Sequence, residues 1–143
     1  MNFENVIDMM LTLITDYGVA DMTDEELMME VGIRTNMVIA RAQLSDLTFN
    51  SDSNEFNREL NGIEATILAY GLLMMWLSPF INNSEVLSAQ LSSKEVTQFS
   101  NANRIQQGIA LYKLAKTEFY QLVVDYDSLL LKADILEELE GGS

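Results

Sequence analysis

Residues 109–136 read IALYKLAKTEFYQLVVDYDSLLLKADIL, and the spacing within this stretch decides the fold class. Tyr112, Phe119, Tyr126 and Ala133 recur every seven residues. Ala115, Leu122, Leu129 and Leu136 form a second series offset by three. A helix turns once in about 3.6 residues, so the two series lie along one seam. Ile109, Val123 and Leu130 widen that seam, as in a bundle helix and unlike a lone dimeric zipper. From about Asn101 to Glu140 there is no proline and a single glycine, Gly108. One long C-terminal helix is predicted there, followed by a flexible C-terminal tail from about residue 137.

The same periodicity extends toward the N-terminus. Phe3, Ile7, Met10, Leu11 and Ile14 predict a helix over Phe3 to Tyr17, with Asn2 as N-cap and Gly18 at its end. Thr23-Asp-Glu-Glu26 is a capping box that opens a second helical stretch carrying Leu27, Met28, Val31, Val38, Ile39, Ala42 and Leu44. Gly32 predicts a break near Val31 to Ile33, with Thr35 or Asn36 as a new cap. Two helices or one bent helix both satisfy this pattern. Asn50 to Asn54 is a loop by composition, and Asp52-x-x-Glu55 reads as the cap of a third helix from about Ser53 to Leu77. Phe56, Leu60, Ile63, Ile67, Tyr70 and Met74 trace its stripe. Its later half is apolar all round, which marks a central core helix, and Pro79 is read as its stop. Short helices follow over Glu85 to Leu91 and around Val96 and Phe99, the second capped by Ser92-x-x-Glu95. The expected fold is all-α: a single-domain helical bundle over residues 1–143, with about five or six helices.

Composition excludes much chemistry. The chain has no histidine and no cysteine, which removes Cys/His zinc sites, disulfides, and Ser–His or Cys–His catalysis. A di-metal carboxylate bundle would need Glu-x-x-His motifs. The acid clusters at Asp24 to Glu30, Asp125/Asp127 and Glu137 to Glu140 read as caps and solvated faces. The isolated glycines cradle no phosphate. No enzyme, cofactor, catalytic residue or metal ligand is expected. The most apolar run, Ala65 to Leu77, is about 13 residues, short of the roughly 20 needed to span a bilayer. No membrane association and no signal peptide are expected.

Twenty-two acids face eight bases, giving a formal net charge of -14. Such a chain does not bind nucleic acid by neutralising phosphates, since no basic stripe exists. The nine methionines, with doublets at Met9-Met10, Met28-Met29 and Met74-Met75, read as core filling, with Met74-Met75 a candidate for an interface. Trp76 to Ile81 gathers three large apolar groups at a helix end, either a core corner or an interface centre.

The run Trp76-Leu-Ser-Pro-Phe-Ile-Asn-Asn, then Leu91-Ser-Ser-Lys94-Glu-Val-Thr-Gln-Phe-Ser100-Asn-Ala-Asn, then the long helix with Leu111-Tyr112, resembles small structural proteins of the head–tail region of tailed bacteriophages. The likeness covers the second half of the chain. Within that group it implies the adaptor that docks beneath the portal. Such adaptors are helical and form rings, often with a C-terminal tail inserted into the portal. The β-rich stoppers and tube terminators of the same group have no counterpart in this chain, which lacks strand-like alternation. The resemblance implies a homo-oligomeric ring in the virion neck, made in the host cytoplasm, with the portal and other neck or tail proteins as partners. DNA would pass through it, and an acidic bore would repel the phosphate backbone. The candidate subunit or portal interface comprises Met74, Met75, Trp76, Phe80 and Ile81, with Leu136 and Leu139 chosen by position. Two other function classes fit the residues: a regulatory or chaperone-like binder of partner helices, and an acidic DNA mimic.

Overall fold

The computed structural model describes residues 2–17, 28–29, 31–82 and 95–141, except the side chains of 15–17, 79–82, 95–105 and 141. Among the described residues the chain is mostly helical. Four helices, α1 (Phe3–Tyr17), α2 (Thr35–Ala42), α3 (Gly62–Asn82) and α4 (Glu95–Gly141), accompany one small hairpin of β1 (Phe49–Asn50) and β2 (Glu55–Phe56). The count of described helices is four, where five or six were expected. The Thr23 capping box, Gly18 and the Glu85 to Leu91 helix lie outside the described residues.

Helix α1 begins where the N-cap signal placed it. The Asn5 amide donates to Asn2 Oδ1 at 3.0 Å, and the Asn2 amide donates to Asn5 Oδ1 at 2.8 Å. This reciprocal pair satisfies two groups that a helix start leaves free. Phe3, Ile7, Met10 and Ile14 of the predicted face are buried, Val6 joins them, and Leu11 is half-buried.

The break after Gly32 is present, as a turn at Ile33 and Arg34. Neither proposed cap acts as one. Thr35 Oγ1 is buried and donates back to the Val31 carbonyl at 3.1 Å. Asn36 instead holds the hairpin: its Nδ2 donates to the Phe49 carbonyl at 2.9 Å, and its Oδ1 accepts from the Phe49 amide at 3.1 Å. A side-chain amide so oriented stands in for a third strand. Helix α2 ends at Gln43, which is left-handed at φ 58°.

The third helix departs from the sequence expectation at both ends. It begins at Gly62, not near Ser53, because residues 49–56 form the antiparallel hairpin, with Phe49 opposite Phe56 and Asn50 opposite Glu55. Local polar side chains favour that turn: Asn50 Oδ1 accepts from the Asp52 amide, and Asn54 takes φ 56°. Phe56 and Leu60 had mimicked a helical stripe. Phe56 is half-buried because it joins Phe3 and Phe49 in an aromatic cluster, with centroids 4.6 to 6.1 Å apart, and Leu60 is buried in the core. At the other end α3 continues past Pro79 to Asn82. A proline removes its own amide and crowds the carbonyl four residues back, but the amides that follow it can still pair.

Helices α3 and α4 form the most extensive contact in the fold. They run antiparallel, with Tyr126 beside Glu64 and Tyr112 beside Met75. Leu68, Leu72, Leu111, Ala115 and Phe119 are among the buried residues of the single core cluster. Gly71 lies at the tightest crossing: a Cβ there would strike Val38 Cγ1 and come within 2.7 Å of the Phe119 ring.

Candidate functional site

The core ends where an ion cluster closes the mouth of the α3–α4 pair. Asn61 caps α3: its Oδ1 accepts from the Glu64 amide at 2.8 Å, and Glu64 returns the bond to the Asn61 amide at 3.1 Å. The same Glu64 carboxylate receives both terminal nitrogens of Arg58, at 2.8 and 2.5 Å, and the Tyr126 hydroxyl at 3.3 Å. Arg58 also reaches Asp46 at 3.1 Å. The Glu64 side chain is only 1% exposed, so this paired, bonded state is what makes its charge tolerable. The Arg58 hydrogen bonds hold its carboxyl below the usual glutamate range, against the opposing effect of burial. Burial raises the Tyr126 phenol above its ordinary value. The cluster ties the 46–61 segment, the start of α3 and the middle of α4 into one joint. Sequence reading missed it: the bases were weighed only for a basic stripe, and the apolar run was read from Ala65 onward. The readable signal was Asn61-x-x-Glu64, a capping pattern directly before the apolar stretch.

Beyond Tyr126 the environment of α4 changes. Every described side chain from Asp127 to Glu140 is exposed. The helix nonetheless continues to Gly141, through the stretch read as a flexible tail. At about 1.5 Å per residue, the part after Tyr126 is some 22 Å long. The heptad seam continues onto it. Ala115 and Phe119 are buried, Tyr112, Leu122 and Tyr126 are half-buried, and Leu129, Ala133 and Leu136 are bare. The body therefore uses about half of the predicted seam. Val124, Leu131 and Ile135, which lie off the seam, are exposed as well.

The residues proposed as an interface separate into two groups. Met74 is 3% exposed and belongs to the core, and Met75 and Trp76 are half-buried against it. Met74 and Met75 line a small pocket with Arg41, Ser78 and Tyr112. Phe80 and Ile81 lie on the last turn of α3, and their side chains fall outside the described ones. Leu136 and Leu139 are 58% and 70% exposed on the projecting helix. The structure thus does not bring the two groups together: Met74 and Met75 face the opposite end of the α3–α4 pair from Leu136 and Leu139.

Among the described residues no helix is long and apolar enough to cross a membrane, and no group of three or more acids is placed to hold a metal ion. Comparison with protein-family models, curated proteins and solved structures found no match for this chain.

Proposed function

We propose that this chain is a non-enzymatic virion structural protein, a head–tail adaptor that forms an oligomeric ring beneath a portal with an acidic surface toward passing DNA. The observation that carries the reading is the projecting end of α4. Leu129, Leu130, Leu131, Ile135, Leu136 and Leu139 are all exposed on a regular helix. Large apolar groups held together in water mark a surface that meets protein. The sequence resemblance of the second half names the kind of assembly, and the net charge of -14 suits a surface past which DNA slides.

The test is reconstitution with the matching portal protein, read by electron microscopy and native mass spectrometry. A ring bound to the portal is the expected result. Absence of both the ring and portal binding would overturn the reading.

A second reading draws on Met29, Ile33 and Met37, which are exposed at intervals of four around the break before α2. Methionine-rich surfaces adapt to partner helices, as a chaperone-like binder requires. A one-to-one complex with a helical partner, together with absence from purified virions, would favour it.

A further inference from the structure

The projecting part of α4 carries two apolar stripes, not one. With about 100° of rotation per residue, Leu122, Tyr126, Leu129, Ala133 and Leu136 align along one side. Val124, Ser128, Leu131, Ile135 and Leu139 align along another, about 140° away. Steps of three and four within each stripe keep both straight along the helix. Asp127, Asp134 and Glu138 separate them on one flank, where the exposed Leu130 adjoins the first stripe, and Asp125 and Lys132 separate them on the other. Glu137 and Glu140 close off the first stripe beyond Leu136.

The first stripe is continuous with the seam that packs on α3 within the chain, since Leu122 and Tyr126 are half-buried there. Past Tyr126 that seam runs on exposed, with no partner among the described residues. Along the second stripe Val124, Leu131, Ile135 and Leu139 are all exposed, and among the described residues nothing covers them. A single neighbouring helix cannot cover both sides of one helix. A two-fold contact would cover one stripe and leave the other in water.

We infer that the projecting helices of successive copies stand side by side, the first stripe of each copy seated on the second stripe of the next. This inference rests on the ring reading above and names the surface that closes the ring. The stripes suit each other in size. With helices parallel and level, Ser128 of one copy stands beside Leu129 of the next. Ala133 falls between Leu131 and Ile135, so each small residue faces large ones. The contact is head-to-tail, because the two surfaces that meet are different, and such contacts generate rings when the rotation closes. Each helix is then covered on both sides by copies of one sequence.

Two variants test this, each altered on a stripe that the monomer leaves in water. Leu129→Glu with Leu136→Glu spoils the first stripe. Leu131→Glu with Ile135→Glu spoils the second. Circular dichroism of both should show the parent's helix content, and their thermal midpoints should match the parent's at concentrations where the parent is dissociated. Native mass spectrometry and light scattering should show the parent as a multi-copy oligomer and each variant alone as a monomer. Mixed in equal amounts, the variants should form a one-to-one heterodimer and nothing larger, because one intact stripe remains on each. A first-stripe variant that dissociates beside a second-stripe variant that still assembles would overturn the inference in favour of a two-fold contact. A parent chain that is monomeric across a concentration series would overturn it too, and binding of that monomer to the portal would then decide the ring reading separately. A parent ring that survives both sets of substitutions would leave the ring standing and remove the helix from its interface.

Discussion

Two residues show how closely the core is fitted. Gly71 allows α2 and α4 to approach α3 together, and a methyl group there would meet Val38 and Phe119 at once. Overpacking of this kind costs about 1–3 kcal/mol, while alanine returns up to about 1 kcal/mol of helix propensity. Gly71→Ala should therefore lower stability by about 1–2 kcal/mol net, read as a fall in the urea midpoint with an unchanged slope. Glu64 makes a different kind of contribution. Its carboxyl titrates lower in the folded chain than in the unfolded one, chiefly because Arg58 bonds the charged form. The unfolded chain thus takes up the proton first as pH falls. The stabilisation is complete above the ordinary carboxylate range and disappears as pH drops through the depressed folded value. Glu64→Gln should cost about 1.5–3 kcal/mol at neutral pH, the range for hydrogen bonds to charged groups. The stability curves of parent and variant should then converge in acid. Comparing the two chains removes the general easing of repulsion that protonating their shared acids would bring to both. A gap that stays constant with pH would contradict the role given to the ion cluster.

At the scale of elements, the sequence was most legible where one periodicity ran long enough to average out exceptions. Helix α1 has the predicted bounds because Asn2 supplies a cap and five apolar residues agree on a face. The long helix was legible for the same reason, although it starts at Glu95, earlier than Asn101. The hairpin was not. Each of its strands is two residues long, too short for alternation to register, and its turn residues also read as a helix cap. Phe56 and Leu60 fell at helical spacing, but tertiary packing turns them inward, Phe56 in the aromatic cluster and Leu60 in the core, which spacing alone cannot distinguish. The candidate interface was half legible. A heptad reveals a seam but does not say where the intramolecular partner stops, and here that limit is set by the Glu64–Tyr126 contact. The second stripe went unread because attention to one seam hides another on the same helix. The division of α4 has a direct consequence: no described side chain after Asp127 contributes to the core. Truncation after Tyr126 should therefore abolish self-association while leaving the thermal midpoint close to that of the dissociated parent chain. A large fall in that midpoint would show that the distal helix stabilises the body.

For the whole molecule, charge and assembly oppose each other. Between Asp125 and Glu140 there are six acids and one base, so parallel helices of neighbouring copies bring like charges together. Apolar contact must offset that repulsion, and its balance depends on screening. The Debye length shrinks from about 10 Å at 0.1 M salt to about 3 Å at 1 M, shorter than the spacing of adjacent helices. Self-association of this chain should therefore strengthen as salt is added, seen in sedimentation velocity as a shift toward the larger species. Contact with a basic partner would move the other way, since screening weakens attraction between opposite charges. The sign of the salt dependence thus separates assembly through apolar stripes from recognition through charge. An oligomer that dissociates on adding salt would mean that paired charges, not the stripes, hold the copies together. The same electrostatics govern DNA. A surface with this excess of acids releases no counterions from phosphates, so the assembled protein should not retain duplex DNA even at low salt, where phosphate-binding proteins hold it most tightly.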